Sequence, residues 1–100
     1  YVVTQIEDGE WMNYTVSIPT DRDYTVYLVY QSKENSLLSV ASDSEVKTES
    51  MQLPGSVQWT EREIGKLTLP AGACVLRLQI EQAGDKLEIQ KIIVKQDKGI

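Results

Sequence analysis

The sequence contains no histidine and a single cysteine. Without histidine, the chain lacks the commonest general base, the usual activator of a nucleophile and the commonest zinc ligand. Cys74 by itself excludes an internal disulfide and a cysteine-cluster metal site, and its apolar surroundings predict a small buried residue. An enzyme built from this chain would have to work with carboxylates alone, as glycosidases do. Their spacing establishes no catalytic pair, so we expect no catalytic residues.

Long apolar runs and clusters of positive charge are also missing. No segment approaches the roughly 20 apolar residues of a membrane-spanning helix, and no signal-peptide pattern is present. Ten basic residues are scattered among fifteen acidic ones, which gives a net charge of −5. No positive stripe is therefore available for nucleic acid or for an anionic membrane, and we expect neither as a partner.

Helical periodicity is absent as well, and glycine or proline interrupts each candidate helix. The chain instead contains short β-prone segments with turn signals about every 8–12 residues. Its 100 residues are enough for one domain, residues 1–100, with one sandwiched core. This pattern predicts an all-β fold with two antiparallel sheets.

The clearest strand pattern follows the Asp8-Gly9 turn signal, to which the β-prone residues 1–6 lead. Side chains alternate between the two faces of a strand, and one face of residues 11–18 is predicted to be core: Met12, Tyr14, Val16 and Ile18. The opposite face is mostly polar but begins with Trp11, a large apolar side chain. Two interpretations stay open: a ligand covers Trp11, or a neighbour such as a loop or Tyr27 does.

The other segments give predictions of differing strength. Both faces of residues 24–31 carry apolar side chains, which predicts a central strand with a partly covered outer face. Residues 43–50 are polar and predict a hairpin tip or a mobile loop. In the last segment, residues 86–95, the alternation shifts phase near Gln90, as a β-bulge would cause. The cleanest amphipathic strand has the inner residues Cys74, Leu76, Leu78 and Ile80.

A set of short elements extends over nearly the whole chain. The set comprises residues 6–16 (Ile-Glu-Asp-Gly-Glu-Trp-Met-Asn-Tyr-Thr-Val), Tyr24-Thr25-Val26, Trp59, Leu69-Pro70-Ala71-Gly72, Leu76-Arg77-Leu78 and Leu87. Together these elements resemble family 6 and family 35 carbohydrate-binding modules, which are jelly-roll sandwiches appended to glycoside hydrolases. The resemblance implies a galactose-binding-domain-like jelly roll of about eight strands. The expected core comprises Tyr14, Val16, Leu28, Trp59, Leu76, Leu78 and Ile80.

The resemblance also implies a sugar site at the loop end of the sandwich. Members of these families commonly have a tyrosine, a tryptophan and an asparagine there, whereas the matching positions here are Gln5, Ser56 and Lys86. The rings matter because the apolar C–H face of a sugar stacks on an aromatic side chain. Polar contacts alone bind weakly, so we predict that this end does not bind sugar in the usual way.

A second site in some of these modules lies on the concave face of a sheet and uses the tryptophan that corresponds to Trp11. Asn13 and Thr15 lie beside Trp11 on the same face of the predicted strand. We expect an adjacent strand to add amide or charged neighbours. If a glycan binds at all, the resemblance therefore implies that it binds weakly on this face.

The resemblance implies partners, a location and one metal. We expect a polysaccharide or oligosaccharide as a weak ligand, a linked glycoside hydrolase domain as partner, and an extracellular, cell-surface or periplasmic location. A structural calcium ion would use residues upstream of Tyr1. Glu7, Asp8 and Glu10 offer oxygen ligands that could bind calcium, but their place around Gly9 favours a solvated hairpin turn. No other cofactor is expected. Because the chain begins with tyrosine instead of methionine, we expect a piece of a longer protein.

The main prediction is a non-catalytic module that raises the local substrate concentration for its hydrolase. The alternative is a structural sandwich that has lost sugar binding and packs on its parent enzyme or on a partner. A wide apolar patch formed by Trp11, Tyr27 and Val29 would favour the alternative.

Overall fold

The computed structural model describes residues 3–20, 22–42 and 50–96, which form seven β-strands in two antiparallel sheets. The strands are β1 (Trp11–Ile18), β2 (Arg22–Ser32), β3 (Ser36–Ser42), β4 (Met51–Leu53), β5 (Ser56–Leu69), β6 (Gly72–Gln82) and β7 (Glu88–Gln96). One sheet has the order β1-β6-β3-β4 and the other the order β5-β2-β7. The prediction of an all-β, two-sheet sandwich is confirmed, with one strand fewer than expected among the described residues.

The first β-prone segment differs from the prediction among the residues that are described. Residues 3–6 do not form a strand, because only Val3 pairs, through two backbone hydrogen bonds with Ile89. The predicted loop over residues 43–50 lies almost wholly outside the described residues. In contrast, the bulge in β7 is confirmed: Val29 pairs with Lys91 and Tyr30 with Ile89, which leaves Gln90 without a register partner.

The core lies between the sheets and is centred on β6 and β2. The predicted core residues Leu28, Leu76, Leu78 and Ile80 are fully buried. Tyr14 and Val16 are only partly buried and pack against the rim of the core, because among the described strands β1 lies at the edge of its sheet and pairs only with β6. As expected for a central strand, β2 is also covered on its outer face, where Val29 is 8% exposed.

The prediction that Trp59 belongs to the core is wrong, since its side chain is 41% exposed. A β-bulge explains the difference. Val26 pairs with Gly65 and Tyr27 with Glu63, so Ile64 is an extra residue in β5. An extra residue reverses the phase of the alternation. Beyond Ile64 the odd-numbered residues of β5 face the core, and before it they face away, which turns Trp59 outward.

Candidate functional site

The outer face of the four-stranded sheet carries the side chains that the sequence singled out around Trp11. The register places Trp11, Gln79 and Ser39 in one row across β1, β6 and β3, and it places Asn13, Arg77 and Ala41 in the next row. Trp11 is 54% exposed, and Asn13, Thr15 and Arg77 are exposed beside it. We refer to Trp11, Asn13, Thr15, Arg77 and Gln79 as the sheet-face site.

Strand β6 supplies the amide and the charge expected from a neighbouring strand. The guanidinium carbon of Arg77 lies 4.4 Å from the centroid of the Trp11 ring, the diagonal contact that long side chains make between neighbouring strands. Arg77 Nε donates a long hydrogen bond of 3.4 Å to Asn13 Oδ1. Gln79 Nε2 donates another of 3.4 Å to the Gly9 carbonyl. Both long bonds are weak, so the amide groups keep capacity for a ligand.

One polar group beneath this face has no partner. Ser39, in the same row as Trp11 and Gln79, is fully buried, and its Oγ is a buried side-chain atom without a hydrogen bond among the described residues. An unsatisfied buried hydroxyl costs about 1–3 kcal/mol. This cost makes the row locally less stable than a fully hydrogen-bonded sheet face.

Tyr27 does not cover Trp11, because the two residues lie on different sheets. Tyr27 belongs to β2, where Lys95 Nζ lies 4.5 Å from the centre of its ring and 2.9 Å from Glu61 Oε2. The hydrogen bond to Glu61 raises the pKa of Lys95 above its ordinary value. Trp11, Tyr27 and Val29 therefore do not form the single apolar patch that the structural alternative would require.

The loop-end positions come together only in part. Gln5 and Lys86 line one cavity of about 450 Å³, together with Leu87 and Glu88. Both have positive φ angles, 56° for Gln5 and 58° for Lys86, a conformation that non-glycine residues rarely adopt. Ser56 does not line this cavity, and its Oγ donates to the Gln58 carbonyl of its own strand at 2.9 Å.

A second cavity of about 160 Å³ lies next to the first and shares Lys86 and Glu88 with it. Gln31 Nε2 donates a hydrogen bond of 2.6 Å to Glu88 Oε1 at its wall. Val57 also lines this cavity, and the exposed Trp59 lies two residues further along β5. The loop end thus has an aromatic ring nearby, although at a position that the sequence predicted to be buried.

The turn before β1 is held by hydrogen bonds. Asp8 Oδ1 accepts the Ala83 amide at 2.7 Å, and the Gly9 amide donates to the Ile80 carbonyl at 2.8 Å. Among the residues that the structure describes, no group of three or more acidic or cysteine side chains could hold a metal ion. The same residues include no helix long and apolar enough to span a membrane.

No family model matches this sequence, and no curated protein matches it significantly. Solved structures do match, and carbohydrate-binding modules are among them. The family 6 module of Cellvibrio mixtus lichenase 5A, in complex with cellotriose, is 17% identical with a TM-score of 0.77, over 97% of this chain and 78% of that one. The C-terminal family 6 module of the Zobellia galactanivorans laminarinase LamC is 20% identical with a TM-score of 0.77, over 95% and 79%.

A similar fold also occurs inside a larger enzyme. The Podospora anserina GH26-CBM35 β-(1,4)-mannanase is 17% identical with a TM-score of 0.75, over 95% of this chain. The present chain spans 21% of that mannanase. At these identities the likeness establishes the fold, which is the β-sandwich of family 6 and family 35 modules, as the sequence elements implied.

Sequence reasoning did not assign Arg77 and Gln79 to the site. Their positions on the outward side of β6 follow from its alternation, so their exposure could be predicted. The contacts of Arg77 with Trp11 and Asn13 could not be predicted, because they depend on β6 pairing with β1 in this register.

Proposed function

We propose that this chain is a non-catalytic carbohydrate-binding domain that binds an oligosaccharide at the sheet-face site. The observation that carries this proposal is the half-exposed Trp11, held beside Asn13, Arg77 and Gln79 on a regular sheet face. An indole surface takes up the apolar face of a sugar, and neighbouring amides bond to its hydroxyls. Trp11 thus supplies the stacking surface that Gln5, Ser56 and Lys86 lack at the loop end.

The fold supports the same proposal. The family 6 modules that this chain is similar to include one in complex with cellotriose, and the mannanase contains a family 35 module in the same chain as its hydrolase. A linked hydrolase domain and an extracellular, cell-surface or periplasmic location are parts of our proposal. One exposed ring and a few wet hydrogen bonds provide little affinity, so we expect weak binding that depends on tethering to the hydrolase.

A titration followed by NMR tests this function. The ¹⁵N-labelled chain is titrated with xylo-, cello- and galacto-oligosaccharides, and the backbone and indole shifts are followed. We expect changes at Trp11, Asn13 and Gln79 with at least one sugar class. Saturable changes confined to Gln5, Val57 and Lys86 would move the site to the loop end. No change with any sugar would contradict carbohydrate binding.

One observation favours the structural alternative. Val57 is 77% exposed and Trp59 41% exposed, and both lie on the edge strand β5, where a partner could cover them. Edge strands with apolar side chains are typical sites of pairing or packing. In that case Val57→Ser and Trp59→Ser would weaken association with the parent enzyme and leave sugar titrations unchanged.

A further inference from the structure

Arg77 differs from the other parts of the sheet-face site because it carries a charge that the described residues do not neutralise. Its ring contact with Trp11 and its long Nε bond to Asn13 hold the side chain across the face. The one ion pair among the described residues joins Lys95 to Glu61 on the other sheet. The two terminal nitrogens of the Arg77 guanidinium donate no hydrogen bond to any of the residues that the structure describes.

The geometry leaves these nitrogens free to bind an anion. A guanidinium presents a planar set of donors that matches a carboxylate or a sulfate with two parallel hydrogen bonds. The contact with Trp11 restrains the guanidinium in advance, which lowers the entropy cost of binding. Because Trp11 is still 54% exposed, indole surface also remains for the apolar face of the sugar that bears the anionic group.

Among the described residues of β6, Glu81 is the acidic side chain on this face, and it lies too far along the strand to neutralise Arg77. Glu81 is four residues from Arg77 along β6, about 13 Å at the usual rise per residue. That separation exceeds the Debye length of about 8 Å at physiological ionic strength. Glu81 Oε1 also accepts a hydrogen bond of 2.8 Å from Ser50 Oγ. Glu81 therefore adds little repulsion to an anion bound at Arg77.

We propose that Arg77 makes the sheet-face site selective for acidic sugars, with its terminal nitrogens binding a carboxylate or a sulfate ester on the sugar that packs against Trp11. This inference rests on the proposed function, since it requires a glycan on this face. A uronic acid and a sulfated sugar offer the same anionic chemistry, so the test includes both.

The test compares matched ligands by calorimetric or NMR titration of the whole chain at low salt. One pair is an oligogalacturonide and its methyl ester, and the other is a sulfated oligosaccharide and its desulfated form. We expect at least one acidic ligand to bind about tenfold more tightly than its neutral partner, the effect of about 1.4 kcal/mol. The preference should shrink as salt is added, because the ion pair between Arg77 and the ligand is exposed to solvent. The ligand pair that shows the preference identifies the anion as a carboxylate or a sulfate ester.

Three variants separate this inference from the proposed function. Arg77→Gln should remove the preference by weakening the acidic ligands about tenfold more than their neutral partners, and Trp11→Ala should abolish the binding of both kinds of ligand. Arg62→Gln is the matched control, since it removes the same charge from β5 in the other sheet and should retain the preference. Equal binding of acidic and neutral ligands, or a preference that survives Arg77→Gln, would overturn the role of Arg77 but not the proposed carbohydrate binding. No binding of any ligand would overturn carbohydrate binding itself.

Discussion

Arg77 and Trp11 are diagonal neighbours on the outer face of the four-stranded sheet, with the guanidinium carbon 4.4 Å from the centre of the indole ring. A cation over an exposed indole contributes about 0.5–1 kcal/mol. The contact therefore orients both side chains without burying either. The contact joins Trp11, the aromatic side chain that β1 places on the outer face, to Arg77, the charged side chain that β6 contributes to the sheet-face site.

Replacing Trp11 by alanine should abolish oligosaccharide binding and leave the fold intact. The side chain is 54% exposed on an edge strand, so we expect the free energy of unfolding to change by less than about 1 kcal/mol. Urea denaturation and sugar titration measure the two effects. Trp59→Ala is the matched control and should retain binding at the sheet face. A loss of several kcal/mol in Trp11→Ala would mean that the indole is packed instead of free.

The loop end should not bind sugar in the manner of the resembling families. Gln5 and Lys86 line a cavity there, but neither provides a ring for stacking, so polar contacts alone would give weak binding. Gln5→Ala and Lys86→Ala should therefore leave affinity for xylo-, cello- and galacto-oligosaccharides within about twofold, a change of roughly 0.4 kcal/mol. A tenfold loss in either variant would show that this end contributes to the site.

Truncation of the core on β6 should destabilise the fold strongly. Leu78 is fully buried, and Leu78→Ala removes apolar contacts and leaves a cavity, which costs about 2–5 kcal/mol. Val57→Ala, at a side chain 77% exposed, should stay within about 0.5 kcal/mol. Chemical denaturation of both variants tests this. Similar losses in the two would contradict the assignment of β6 to the centre of the core.

Gly84 should not tolerate a side chain. A Cβ at this position would collide with the backbone carbonyl oxygens of Glu34 and Asn35, and overpacking against backbone costs about 1–3 kcal/mol. Gly9→Ala is the comparison, since a Cβ there meets nothing within 4 Å although φ is +84°. We expect Gly84→Ala to lower the midpoint of thermal unfolding more than Gly9→Ala. The reverse order would indicate that backbone conformation limits stability more than the contact does.

Stability should fall at alkaline pH partly because of Tyr14. Burial raises the pKa of the Tyr14 phenol above 10.0, so the folded state holds the neutral form more tightly than the unfolded chain. The contribution of Tyr14 to the free energy of unfolding is fully present below its ordinary pKa of 10.0. It is lost as the pH rises through the higher pKa of the folded state. Tyr14→Phe should therefore lose less stability between neutral and alkaline pH. Equal losses in the two proteins would show that other groups cause the effect.

Side-chain alternation along the chain is enough to predict the fold class and the inner faces of the clearest strands. Alternation identifies Leu76, Leu78 and Ile80 as core because a strand has two faces and only one is apolar. The phase shift at Gln90 likewise predicted the bulge in β7, since the apolar pattern records it directly. The polar residues that share the face of Trp11 predicted that it points away from the core, but they left open whether a loop or Tyr27 covers it.

The pairing of the strands, in contrast, is visible only in the folded chain. The bulge at Ile64 turns Trp59 from the core to the outside, and no local pattern shows it, because an apolar residue fits either phase. Pairing also places Tyr27 on the sheet opposite Trp11 and brings Arg77 onto its ring. Register depends on contacts between distant segments, so one strand's sequence predicts which side chains face outward, and the sheet decides which of them meet.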